Sequence, residues 1–292
     1  MRVAARRKVT TGSLYDQGEH LRILGIDTWV VRAGPRGGTP IVFLHGVPTS
    51  AYVYREIVRA LYDDHDCIAF DWPGFGMSGK PRGLDLSHHA RAEHLAALLD
   101  ALALQKVHLV VHDVGGPAGL LFALAHPERV EKLVLLNTTV YKSHYRPPIP
   151  ALTQLVPVLR DLTRPLFQKP AFEFFFKHGC ARPERLQPDV IENHWRLAER
   201  DNGTRHVFDT WAQFPEGSSS IERIRAGMST FEKPVLVLFG ADDPYLPPPN
   251  AERFAKAFPH AQLELLATAG HVLQEDAPEE VADRIARFLS AK

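Results

Sequence analysis

A chain of 292 residues with 45% hydrophobic and 23% charged residues has the profile of a soluble globular protein with ample length for a large core. Its 34 basic and 34 acidic residues cancel. That balance excludes the global field that draws proteins to nucleic acid or to an anionic membrane, and leaves small neutral molecules as the expected partners.

The N-terminal MRVAARRK is basic but is not followed by the apolar run of a secretory signal, and nowhere do 18 consecutive apolar residues occur, so a cytoplasmic location away from membranes is expected. LRILGIDTWVVRAG (21–34) alternates and turns like an antiparallel hairpin. Strand-length apolar runs then recur: IVFLHG (41–46), CIAFDW (67–72), VHLVVHD (107–113), KLVLLNT (132–138), VLVLFGA (235–241) and QLELLATAG (262–270). Their near-continuous hydrophobicity suggests strands buried on both faces of a parallel sheet. Between them, residues 51–62, 90–104, 117–125, 250–258 and 278–290 carry apolar residues at helical spacing. The alternation points to an α/β fold with a doubly wound sheet.

From 139 to 229 the alternation stops. Prolines (RPPIP, TRPLFQKP), the aromatic cluster FEFFF and two helix-like segments, DVIENHWRLAERD and TRHVFDTWAQF, read as a helical insertion over a core made of 1–138 and 230–292. Cys67 and Cys180 are too few and too distant in sequence for a disulfide framework or a zinc site and read as packing or surface residues.

In open parallel sheets, functional groups collect at the carboxyl ends of the strands. Here those ends carry His45-Gly46-Val47-Pro48, Asp113 in VVHDVGG, Asp242/Asp243 in GADD, and His271. An acid at a strand-to-helix turn, then a second acid, then a histidine reproduces the chain order nucleophile, acid, histidine. The bland reading of Asp113 is a helix N-cap; the other two groups at matching strand ends favour chemistry.

HGVPTS, DWPGFGMSGKP, VHDVGG, GADDPYLPP and GHVLQEDAPEEV resemble the corresponding segments of the α/β-hydrolase superfamily. The aspartate at the elbow is similar to that of the haloalkane dehalogenases and epoxide hydrolases, and the HGxPTS and GHxLQED spellings lean toward the dehalogenases. The resemblance covers the sheet segments, and the insertion matches as a generic helical cap. It implies an α/β-hydrolase fold in which Asp113 is the nucleophile, His271 the water-activating base and, by the G-x-x-D arrangement, Asp243 rather than Asp242 the supporting acid. It also implies that the backbone N–H groups of Val47 and Val114 form the oxyanion site, with no cofactor and no metal. A carboxylate nucleophile suits saturated carbon, where attack on a halide-bearing or epoxide carbon gives an ordinary alkyl ester. The expected substrate is a small apolar organic molecule, hydrolysed with water.

Two usual parts are missing. The dehalogenases typically hold the departing halide with a tryptophan after the nucleophile and often an asparagine after His-Gly, where this chain has Val114 and Val47, which carry no side-chain donor. Trp195, Trp211 and Asn137 are candidate replacements. The epoxide hydrolases usually activate the ring oxygen with two cap tyrosines; Tyr141 and Tyr145 are the candidates here, with His206 a substitute acid. Three readings follow: a haloalkane dehalogenase-like hydrolase, an epoxide hydrolase as the alternative, and a noncatalytic ligand-binding member of the fold. His45 and His112 read as structural, and His88, His89 and His94 as a solvated helix face. Phe172, Phe175 and Phe176 share one helical face, either core or an apolar pocket wall.

Overall fold

The computed structural model describes residues 13–148, 163–212 and 218–291. An eight-stranded sheet in the order β1-β2-β4-β3-β5-β6-β7-β8 organises it. β1 (Glu19–Ile23) and β2 (Ile26–Ala33) form the antiparallel hairpin, and β2 pairs antiparallel with β4 (Cys67–Phe70). From β4 onward every pairing is parallel, through β3 (Ile41–Leu44), β5 (Val107–His112), β6 (Val130–Leu136), β7 (Val235–Gly240) and β8 (Ala261–Leu266). Every residue of β3, β4, β5 and β7 is buried, as the unbroken apolar runs require of strands covered on both faces. The edge strand β8 instead exposes Leu263 and Leu265.

The covering helices are α1 (Arg55–Leu61), α2 (His88–Ala101) and α3 (Gly115–Ala125) in the first half of the chain. Among the described residues, four more lie between β6 and β7: α4 (Lys169–His178), α5 (Pro188–Glu199), α6 (Thr204–Ala212) and α7 (Ser219–Gly227). The remainder are α8 (Pro249–Ala257), the short α9 (Leu273–Asp276) and α10 (Pro278–Ser290). Two features differ from the sequence reading. Helix α7, capped by the Ser218 side chain on Ile221 N–H, was not expected. His88 and His94 are buried rather than solvated, His94 Nε2 lying 3.0 Å from the Thr28 hydroxyl, because α2 turns that face onto the β-hairpin. The end of the TRHVFDTWAQF segment, Gln213 and Phe214, lies outside the described residues.

The helices between β6 and β7 are joined to the sheet by a buried polar junction. Glu275 accepts two hydrogen bonds from Arg55 on α1, at 2.5 and 2.8 Å, and lies 2.8 Å from His194 Nε2 on α5. Tyr52 stacks against both partners, its ring 4.3 Å from the Arg55 guanidinium carbon and 5.0 Å from the His194 ring. Next along the chain, Asp276 accepts from the backbone N–H groups of Gly270, Ala181 and Arg182. His271 N–H donates to Gly179 O at 2.7 Å, which fixes the end of α4 to the loop that carries His271.

Arg55 and Glu275 are nearly inaccessible, with side chains 9% and 3% exposed, so removing Glu275 leaves the buried Arg55 charge with only the 3.7 Å ion-pair contact to Glu56 among the described residues. Glu275→Ala is therefore expected to cost about 3–5 kcal/mol of unfolding free energy. Urea denaturation measures it, and a loss below about 1 kcal/mol would mean that water relaxes into the junction.

Candidate active site

Strand β5 ends at His112, and Asp113 follows with φ 49°, in the left-handed region that a non-glycine residue rarely occupies. The turn places its carboxylate above the strand end and lets α3 begin two residues later. The neighbours are small because nothing larger fits. A Cβ on Gly46 would come within 2.4 Å of Asp113 Cβ, and one on Gly116 within 1.9 Å of the Thr138 hydroxyl oxygen. Thr138 in turn donates to Asp113 O at 2.6 Å, and Asp113 N–H reaches Asn137 O at 3.2 Å, so the end of β6 holds the elbow open.

Asp113 Oδ2 accepts the Val47 N–H at 2.8 Å, and the Val114 N–H is also bonded to the carboxylate. Burial raises the Asp113 pKa above its ordinary value; His271 and the two backbone donors oppose that shift without cancelling it. The Val47 loop is held from behind by His45. Its Nδ1 donates to Gly46 O at 2.8 Å, its Nε2 accepts the Trp72 N–H at 3.0 Å, and burial pushes its pKa down to about 3, so the ring is a neutral structural group. His112 is likewise structural, with Nε2 donating to His271 O at 2.9 Å.

His271 Nδ1 lies 2.8 Å from Asp243 Oδ2. The pairing selects Asp243 over its neighbour Asp242, whose side chain is exposed. Asp243 Oδ1 accepts the N–H groups of Tyr245 and Leu246, and Oδ2 also takes the Asn137 side-chain amide at 2.6 Å. Burial works against the Asp243 charge, but His271 and these donors outweigh it and hold the carboxyl below its ordinary range. Burial would lower the His271 pKa too, yet the charges of Asp243 and Asp113 raise it above 6.5 overall.

Asp113 and His271 face a cavity of about 70 Å³, walled by Val47, Val114 and Leu246 from the sheet side and by Phe167, Phe175, Phe176 and Trp211 from the inserted helices. Tyr145 and Tyr245 complete it; Tyr245 meets the His271 ring edge-on at 5.3 Å and donates its hydroxyl to Phe175 O. Of the candidate contacts, Tyr145 and Trp211 therefore face the cavity and four others do not. Asn137 spends its amide on Asp243 and its carbonyl oxygen on Gly240 N–H. Trp195 packs against Phe172 inside the helical layer, and Tyr141 lies against Phe254 and beneath Arg253. His206 sits beside Gly74 O at 3.2 Å, away from the wall. The aromatic face of α4 is divided, with Phe172 in the core, Phe175 on the wall and Phe176 in both. Tyr245 escaped the sequence reading, although its position two residues after Asp243, at the same strand end, was a signal for it. Among the described residues no cluster of three or more metal-ligating side chains occurs, and no helix is long and apolar enough to cross a membrane.

Residues 39–278 match the model of a family described as having the alpha/beta hydrolase fold. The chain belongs to the alpha/beta hydrolase fold family. Within it, this hydrolase is 31% identical over 264 residues to a cis-3-alkyl-4-alkyloxetan-2-one decarboxylase of Shewanella oneidensis, covering 87% of this chain and 82% of that protein. It is 29% identical over 262 residues to haloalkane dehalogenase 2 of Mycobacterium tuberculosis, covering 85% and 87%. The haloalkane dehalogenase DbeA of Bradyrhizobium elkani superposes with a TM-score of 0.81 at 24% identity, over 94% and 99% of the two chains. The chain is thus an enzyme of the alpha/beta hydrolase fold, and the noncatalytic reading is set aside.

The raised His271 pKa makes a direct prediction. A reaction that uses the neutral imidazole gains rate along a limb centred above pH 6.5, and Asp243→Asn moves that limb down by removing the charge that raises it. The stability this histidine contributes runs the other way, being complete below 6.5 and lost as pH rises through the folded value. An NMR titration of His271 with a midpoint at or below 6.5 would contradict both statements.

Proposed function

We propose that this hydrolase cleaves the bond between a saturated carbon and a leaving group through an alkyl ester on Asp113, in the manner of a haloalkane dehalogenase. The observation that carries the reading is the aspartate itself, set at the elbow with Oδ2 already bonded to backbone N–H. Oδ1 is left to attack carbon. The ester carbonyl that results sits in the donors of Val47 and Val114, which can stabilise the oxyanion when water adds. His271, oriented by Asp243, takes the proton of that water. Addition breaks the Asp113 ester, releases an alcohol and restores the carboxylate, and none of these steps calls for a cofactor.

In this reading residues 139–229 form a cap over a core of 1–138 and 230–292, and the substrate is a small apolar molecule enclosed between them. Trp211, whose side chain carries an indole N–H, is part of the cavity wall, which supports halide release. A second reading, the opening of a strained carbon–oxygen ring such as an epoxide, is favoured by Tyr145. This residue lines the same wall, and burial and the charge of Asp113 raise its pKa, so its phenol keeps a proton to give to a departing oxygen. The Shewanella relative is named for a substrate with another strained oxygen ring, an oxetan-2-one.

The test removes the base. His271→Ala exposed to chloroalkanes, bromoalkanes and epoxides should accumulate an ester on Asp113, read by intact mass and peptide mapping. An alkyl adduct identifies carbon–halogen cleavage and a hydroxyalkyl adduct identifies epoxide opening, while an unmodified Asp113 with every substrate defeats the reading. Tyr145→Phe separates the two classes: epoxide turnover should fall about 100-fold and haloalkane turnover by less than about threefold.

A further inference from the structure

The loop that follows β7 carries more than the supporting acid. Two residues after Asp243 stands Tyr245, whose backbone N–H donates to Asp243 Oδ1 at 2.7 Å. Its carbonyl oxygen accepts the N–H of Arg146 at 2.9 Å, next in the chain to Tyr145 on the cavity wall. Its hydroxyl donates to Phe175 O on α4 at 3.1 Å. The ring stands between two imidazoles, meeting that of His271 at 5.3 Å and 89°, and that of His178, in the last turn of α4, at 5.7 Å and 70°. Burial and the charge of Asp243 raise the pKa of the phenol, so it stays protonated and puts no charge beside the base.

Those contacts give the ring a task beyond filling the wall. With Nδ1 bonded to Asp243, the imidazole of His271 can still swing about that one hydrogen bond, and the bond alone does not fix where Nε2 points. The rings of Tyr245 and of His112, the latter at 5.1 Å and 47°, restrict the swing. A catalytic group misplaced by about 1 Å can lose about 100-fold in rate, so the restriction matters. Tyr245 is in turn held from the far side. Its one hydroxyl proton is spent on Phe175 O, the carbonyl that also accepts the Gly179 N–H at 3.1 Å, so it is no donor for substrate and ties the ring to the end of α4. A leucine at this position would wall the cavity as well, but it would neither reach α4 nor set an aromatic ring against the imidazole.

We propose that Tyr245 is the positioning residue of the water-activating step, its ring holding the His271 imidazole toward the Asp113 ester and its hydroxyl making that hold depend on α4. The role rests on the alkyl-ester reading. In that step a water proton passes to His271 Nε2, the water oxygen bonds to the ester carbonyl carbon, and the carbonyl electron pair moves onto the oxygen held by Val47 and Val114. Collapse of this intermediate expels the alkoxide, which takes the proton from His271, and restores the carboxylate. Formation of the ester calls on the Asp113 oxygen and not on the imidazole. A displaced His271 therefore slows the second half-reaction more than the first.

Single-turnover kinetics on the whole chain, with a haloalkane or epoxide that esterifies Asp113 in His271→Ala, separates the two rates. Tyr245→Leu should lower the ratio of ester hydrolysis to ester formation about 30-fold, so that the ester accumulates although His271 is present. Tyr245→Phe, which keeps the ring and loses the tie to α4, should lower the ratio about fivefold. A residue that only fills the wall predicts a changed KM and an unchanged ratio. Proton NMR reads the same contact without substrate: the low-field signal of the His271 Nδ1–H bonded to Asp243 should persist in Tyr245→Phe and exchange at least about tenfold faster in Tyr245→Leu. An unchanged ratio in Tyr245→Leu overturns the proposal. Should that variant fail to fold, Tyr245→Phe carries the kinetic comparison, and an unchanged ratio again overturns it. Absence of any ester in His271→Ala defeats the alkyl-ester reading instead; the NMR signal then decides whether Tyr245 holds the imidazole, and equal exchange in wild type and Tyr245→Leu means that it does not.

Discussion

The backbone N–H groups of Val47 and Val114 meet at one carboxylate, that of Asp113, and much of the surrounding structure serves to keep the three together. Backbone donors cannot be aimed by choosing a side chain; they are aimed by folding the chain around them. Hence the left-handed turn at Asp113, the glycine at 46 that lets the loop approach, and the glycine at 116 that lets α3 close on Thr138. Hence also the neutral His45, which ties the loop to Trp72. These hydrogen bonds hold a buried acid, and in the proposed reaction the same donors meet the negative charge that develops there.

The parallel sheet was legible in the sequence because a strand covered on both faces must be apolar along its whole length, and runs such as those at 107–111 and 235–239 have few other uses. Asp113, Asp243 and His271 were legible because each follows such a run, and strand ends are where a sheet of this kind presents its side chains. What escaped were properties set by tertiary packing. Asn137 carries the right donor at the right strand end, but its positive φ and the nearness of Asp243 turn it away from the cavity. Trp195 and Trp211 look equivalent on neighbouring amphipathic helices; only the docking angle of each helix decides that one fills the layer and the other faces the wall. His88 and His94 read as solvated because histidine at a helix start usually is, while the β-hairpin that covers them lies some 60 residues earlier in the chain.

Two arginines show opposite treatments of the same buried group. Arg55 is saturated by Glu275 and joins α1, α5 and the loop of His271 into one unit. Arg91 on α2 has a single such bond, from Nη2 to the Thr210 hydroxyl, and its Nε and Nη1 are buried without a partner among the described residues.

The electrostatic tie between Asp113 and His271 orders the proposed reaction in time. While Asp113 is a carboxylate, its charge joins that of Asp243 in raising the affinity of His271 for a proton. Alkylation makes Asp113 a neutral ester and removes that support, which lowers the affinity of His271 for its proton at the moment when a base is needed. In the proposed reaction Asp113 thus acts as an interlock on the water-activating pair: completion of the first half-reaction eases the proton off His271 for the second.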